Sequence, residues 1–224
     1  MKKLLVICFA VLMVVSMSIT AFAENGGFVV SPSTNPAPEV ETFEPSSDAC
    51  TADLIVTPYS KRDTLPDKER TMLEKAYGEV MNASDLTTLC AELASLAKSK
   101  NILGKDLAVS DLFDVRMEGC ETDHALHGSF KIVLKAETLN GFVCLLHMKE
   151  DGSWEVIKNA KVTNGNLLSF SANEFSPFAI VVDSSKQGPD KTGDETMIGL
   201  YIAVMAVSAV AIVILVAKSK KQRA

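Results

Sequence analysis

Residues 129–157 read SFKIVLKAETLNGFVCLLHMKEDGSWEVI, and the period of this stretch decides the fold. Phe130, Ile132, Leu134 and Ala136 alternate with Lys131, Val133, Lys135 and Glu137, the pattern of a strand with one buried face. Asn140-Gly141 turns the chain into a second run, Phe142 through Met148. Asp151-Gly152 is a hairpin signal that wants positive φ, and Trp154 to Ile157 returns from it. Asn164-Gly165 is another such turn, followed by Leu167 through Phe170 and by a last strand, Phe178 to Val182, running out to Asp183. Five short strands at regular spacing predict a small antiparallel sandwich filled by Trp154 and the phenylalanines.

Upstream the period changes. Leu54-Ile55-Val56 reads as a short strand before Pro58. Pro66, with Asp67 and Glu69 in the first turn, opens a helix whose apolar face is Leu73, Ala76, Tyr77, Val80 and Met81. A second helix starts near Ser84-Asp85, carries Leu86, Leu89, Cys90, Leu93, Leu96 and Ala97 on its stripe, and ends in Lys98 and Lys100. The two make a helical hairpin joined near Asn82-Ala83. The expected class is therefore α+β: a helical hairpin in an α/β unit over residues 50–127, then an antiparallel β-sandwich-like unit over 128–184.

The ends carry the location. Met1-Lys2-Lys3, an apolar run from Leu4 to Val15, and Ala21-Phe22-Ala23 have the layout of a signal peptide, residues 1–23, cut after Ala23. The run is too short to span a bilayer core of about 30 Å. Residues 24–49 hold Pro32, Pro36, Pro38 and Pro45 among polar residues and read as a disordered linker. A stalk over 185–196 precedes an uncharged run, 197–217, long enough to cross a membrane as a helix. Four cations in the tail, 218–224, follow it, with Asp194 and Glu195 on the other side. That asymmetry puts the C-terminus in the cytoplasm and the folded part outside, as a single-pass protein of the cell membrane.

The whole chain of 224 residues has 22 basic and 28 acidic residues. Lys2, Lys3 and the four tail cations lie outside 24–196, so that segment keeps 16 basic against 28 acidic residues, a net charge of −12. Such a surface excludes nucleic acid as a partner, because phosphate contacts need a surplus of cations.

Pro189-Asp190-Lys191-Thr192-Gly193-Asp194, with the apolar run and basic tail behind it, resembles the LPXTG-like sorting signal of Gram-positive surface proteins. Asp190 stands where that family has proline, and Pro189 where it has leucine. The resemblance implies that a sortase would attack the carbonyl of Thr192, before Gly193, and join the protein to peptidoglycan in the cell wall. Lys149 to Glu155 and Phe175 to Val181 resemble the membrane-proximal β-domains of uncharacterised clostridial-type surface proteins, as do Val56 to Ser60 and Leu107 to Phe113. That likeness implies location and architecture and names no reaction.

Chemistry has one dense candidate. Cys120, Asp123, His124 and His127 lie within eight residues and are zinc-ligand types, with His147 on a strand that could face them. The alternative is a solvated loop between strands. Cys50 and Cys120, at the edges of the folded part, are the candidate disulfide; Cys90 and Cys144 sit on apolar faces and read as core thiols. No nucleophile elbow, zinc-protease motif or phosphate loop is present. No catalytic residue is assigned and no enzyme activity is expected. The expected role is display of a structural or binding domain, with the lipid bilayer and signal peptidase as partners and no cofactor. A sortase-processed wall protein and a zinc-binding ectodomain or ectoenzyme are the alternatives.

Overall fold

The structure is a computed structural model that describes residues 27–29, 31–44, 52–119 and 129–187. The fold is α+β with two antiparallel sheets and few helices. The first sheet has the order β2-β3-β9-β5-β6: Asp53–Pro58, Leu107–Glu118, Pro177–Asp183, Phe142–Met148 and Trp154–Val156. The second has the order β1-β4-β8-β7: Glu39–Glu44, Phe130–Lys135, Leu167–Ala172 and Lys161–Thr163. Among the described residues the α-helices are α1, Asp67–Asn82, and α2, Ala91–Lys100.

Three layers result, helices on the first sheet and the first sheet on the second. Between helices and sheet, Leu73, Ala76, Val80, Leu93 and Ala97 pack on Val109, Leu146, Met148 and Val181. Between the sheets, Phe113, Leu145, Phe178 and Ile180 meet Ile132, Leu134, Leu168 and Phe170. Central strands of the first sheet therefore have no wet face. Strand β9 is buried at all seven positions, and β3 at its first nine. Strand β4, with one face outward, keeps the alternation its sequence announces, its three buried positions separated by exposed or half-buried ones. At the Asn164-Gly165 turn both residues have positive φ, 53° and 78°, as a two-residue hairpin turn requires.

Several expectations are corrected. The linker expected over 24–49 contains β1, whose Phe43 stacks on Phe130 at 5.6 Å. Phe28 is also buried: residues 27–29 bond to Val109 beyond the end of β2, and its ring stacks on Tyr77. These two aromatic rings offset the ordering entropy that the prolines and glutamates around them suggest is unopposed. The division at residue 127 does not describe the fold either. Strand β3 pairs with β9, and β1 pairs with β4, so each sheet draws strands from both sides of it. Helix α2 starts at Ala91 rather than near Ser84, because Asp85 instead caps a 3-10 turn, Leu86–Thr88. Cys90 then sits at the helix N-cap, half-buried against the core. Among the described residues from 129 onward there are six strands, not five. The start of the expected stalk forms a short 3-10 turn, Ser184–Lys186.

Candidate functional site

Strand β5, buried on both faces, places a histidine on the face toward the second sheet, the face that also carries Leu145. His147 points between the sheets, 2% exposed, with its ring stacked on Phe178 at 4.6 Å. The hairpin turn at Asp151-Gly152 sets the β5–β6 register and puts Glu155 directly opposite. His147 Nδ1 lies 2.9 Å from Glu155 Oε1, and Nε2 lies 2.7 Å from Ser176 Oγ. The Ser176 hydroxyl also donates to the Met148 carbonyl. Beside this line is a cavity of about 300 Å³, walled by His147, Lys149, Glu155, Ser171 and Asn173 among others.

Carboxylate, imidazole and hydroxyl in this order make the arrangement that activates a serine. Here the hydroxyl is turned to another task. Ser176 is 6% exposed and does not wall the cavity, and its proton is shared with the Met148 carbonyl. What the line does is tie β6, β5 and the turn before β9 together through hydrogen bonds that are buried at His147 and Ser176 and half-exposed at Glu155. The sequence assigns no role to Glu155 or Ser176 and allows His147 to face the Cys120–His127 cluster. The structure directs it to Glu155 and Ser176.

Two other buried groups stand out on β3. Asp111 sits at a bulge and is 5% exposed. It accepts from the Thr138 hydroxyl, from Ser110 Oγ at 3.4 Å and from Asn35 Nδ2 at 3.5 Å. Burial pushes its pKa up to about 6 against the pull of these donors. Asn35, Asp111 and Thr138 line a cavity of about 250 Å³ with Glu39 and Lys135 at its wall. Asp114 is fully buried, and neither carboxylate oxygen has a hydrogen-bond partner among the described residues. Burial first, then the nearby Glu69, raises it to about 7, with Arg116 acting in the opposite direction.

The thiols Cys90 and Cys144 are free; burial pushes Cys144 up to about 12 and raises Cys90. A wider groove of about 710 Å³ separates α2 from the β5–β6 side of the sheet, with Glu92, Ser95, Lys100, Val143 and Ile157 on its walls.

Cys50, Cys120, Asp123, His124, His127, Thr192 and Gly193 lie outside the described residues, as do the segments 1–23 and 197–217. Among the described residues no three His, Cys, Asp or Glu side chains are placed to hold a metal ion, and no helix is long and apolar enough to cross a membrane. No family model matches the chain, and no match to it is found among curated proteins or solved structures.

Proposed function

We propose that this is an exported bacterial surface protein, held in the membrane by the helix at 197–217, that displays the three-layer domain outside the cell in a structural or binding role. The observation that carries the reading is the asymmetry of the two ends. An export signal of 23 residues precedes the domain, and an uncharged run followed by Lys218, Lys220, Lys221 and Arg223 succeeds it. The domain's last strand ends at Asp183, so only residues 184–196 separate it from the apolar run. A binding role would draw on the groove between α2 and the β5–β6 side, which is open and mixed in polarity.

The test is fractionation of a Gram-positive host expressing the chain with an epitope inserted at the Asn164-Gly165 turn, where Gly165 faces open space. Release by detergent, at the mass left after removal of residues 1–23, is the expected result. Release only by a wall hydrolase, with the segment after Thr192 missing, would replace membrane retention by sortase linkage to peptidoglycan. An epitope confined to the cytosol would overturn both.

A further inference from the structure

The domain's outer surface is acidic overall, yet one end of it is not. Helix α2 ends at Asn101, whose φ of 61° turns the chain back, and the Ile102 amide donates to the Ala97 carbonyl. Ile102 packs on the core; Leu103, next in line, is left 60% exposed, whereas Val40, the other exposed large hydrophobic residue among those described, is 39% exposed. Gly104 lies so close to the Asp85 carboxylate that a Cβ there would overlap it, and Gly104–Asp106 then forms a 3-10 turn leading into β3.

Around Leu103 the cations are outermost. Lys105 pairs with Asp106 at 3.4 Å, with 73% of the lysine side chain exposed against 33% of the aspartate. Lys186 pairs with Asp183 at 3.5 Å, 64% exposed against 8%. Lys98 and Lys100 are exposed on the last turn of α2. The two loops are joined, since Ser184 Oγ donates to the Asp106 carbonyl at 2.9 Å. This same end is where the chain leaves the domain. Leu107 pairs with Asp183, and from Lys186 to Met197 the chain can reach at most about 40 Å. The far end of β3, at Glu118 beside Asp53, is about 36 Å farther away along the strand.

We infer that this end of the domain rests on the membrane, with Leu103 entering the interface of the bilayer and Lys98, Lys100, Lys105 and Lys186 lying over anionic lipid headgroups. The inference rests on the proposed span at 197–217. An exposed leucine is stabilised by entering the headgroup boundary, and each cation near an anionic leaflet adds an attraction that decays within a Debye length. The anchor holds the domain near the bilayer at high local concentration, so weak contacts suffice. The opposite end, with Asp53 and Glu118, then faces outward.

The test uses the full chain in lipid nanodiscs, with Trp154→Phe as background and one reporter introduced by Leu103→Trp or, as the distal control, Asp53→Trp. Discs contain acyl-brominated phosphatidylcholine with or without phosphatidylglycerol. The expected result is at least twofold stronger quenching in the Leu103→Trp chain than in the Asp53→Trp chain, larger with phosphatidylglycerol and reduced by Lys105→Glu with Lys186→Glu. A chain that elutes with the discs but shows equal quenching at the two positions overturns this inference alone. Equal quenching with and without phosphatidylglycerol overturns the part given to the lysines. A chain that does not elute with the discs overturns the inference and the anchoring on which it rests.

Discussion

Replacing Asp114 by asparagine should stabilise the domain at pH 8, because the aspartate is a buried acid whose carboxylate has no hydrogen-bond partner among the described residues. In the folded chain its pKa rises to about 7 from the usual 3.8, first because burial strips the carboxylate of water and then because Glu69 is near. The folded state therefore holds this proton more tightly than the unfolded state does. Stability contributed by the protonated form is complete below about pH 4 and is lost as pH rises toward 7. A shift of about three pH units corresponds to roughly 4 kcal/mol by the top of that window. That is a large part of a typical domain stability of about 5–15 kcal/mol. Asp111, raised to about 6, acts in the same direction with about 3 kcal/mol, lost between roughly pH 4 and 6. Asp151 and Asp183, lowered mainly by hydrogen bonds from Ser153 and Ser185, act oppositely: their contribution is present above the usual aspartate range and is lost as pH falls below it. The maximum of stability is thus expected between about pH 4 and 5. The Asp114→Asn amide would itself be buried without partners, at a cost of about 1–3 kcal/mol, so the net gain at pH 8 is roughly 1–3 kcal/mol. The assay is urea unfolding of the full chain in mild detergent, followed by the fluorescence of Trp154, which is the sole tryptophan and is 5% exposed. An Asp114→Asn chain less stable than the parent at pH 8, or a parent chain that gains stability from pH 5 to pH 8, would refute the reasoning.

Three further outcomes are expected. Ser176→Ala removes the hydroxyl that joins His147 to the Met148 carbonyl and should lower stability by about 1–3 kcal/mol, measured as the urea midpoint; an unchanged midpoint would show that the line ties nothing. Gly141 has φ of 69°, and a Cβ there would lie 2.9 Å from the Asp183 carbonyl, so Gly141→Ala should destabilise by about 1–3 kcal/mol and lower the melting temperature. If Cys120, Asp123, His124 and His127 hold zinc, the purified chain carries it stoichiometrically and His124→Ala loses it; metal-free protein whose melting temperature ignores chelator would remove the zinc reading.

What the sequence announces and what it conceals divide by how far apart the interacting residues are. Strand β4 is legible because one of its faces is wet, which writes a period of two. Strand β3, the longest among the described residues, is not. Both of its faces are covered, a bulge between Val109 and Asp111 shifts its phase, and Asp111 and Asp114 interrupt its apolar residues. A strand buried on two sides loses the alternation by which strands are recognised. Strand β1 hides for the opposite reason: five of its six residues are exposed, and it is held by edge pairing and the ring of Phe43. The site shows the same division. Once Asp151-Gly152 is read as a turn, Glu155 opposite His147 follows from counting along two adjacent strands. Ser176 does not follow, because β9 meets β5 by a non-local pairing, and no local period records which strand comes to lie beside which. The buried carboxylates are concealed in the same way. Asp114 reads as polar in sequence, and only the covering of β3 by helices on one side and a second sheet on the other turns it into the acid whose proton governs the stability predicted above.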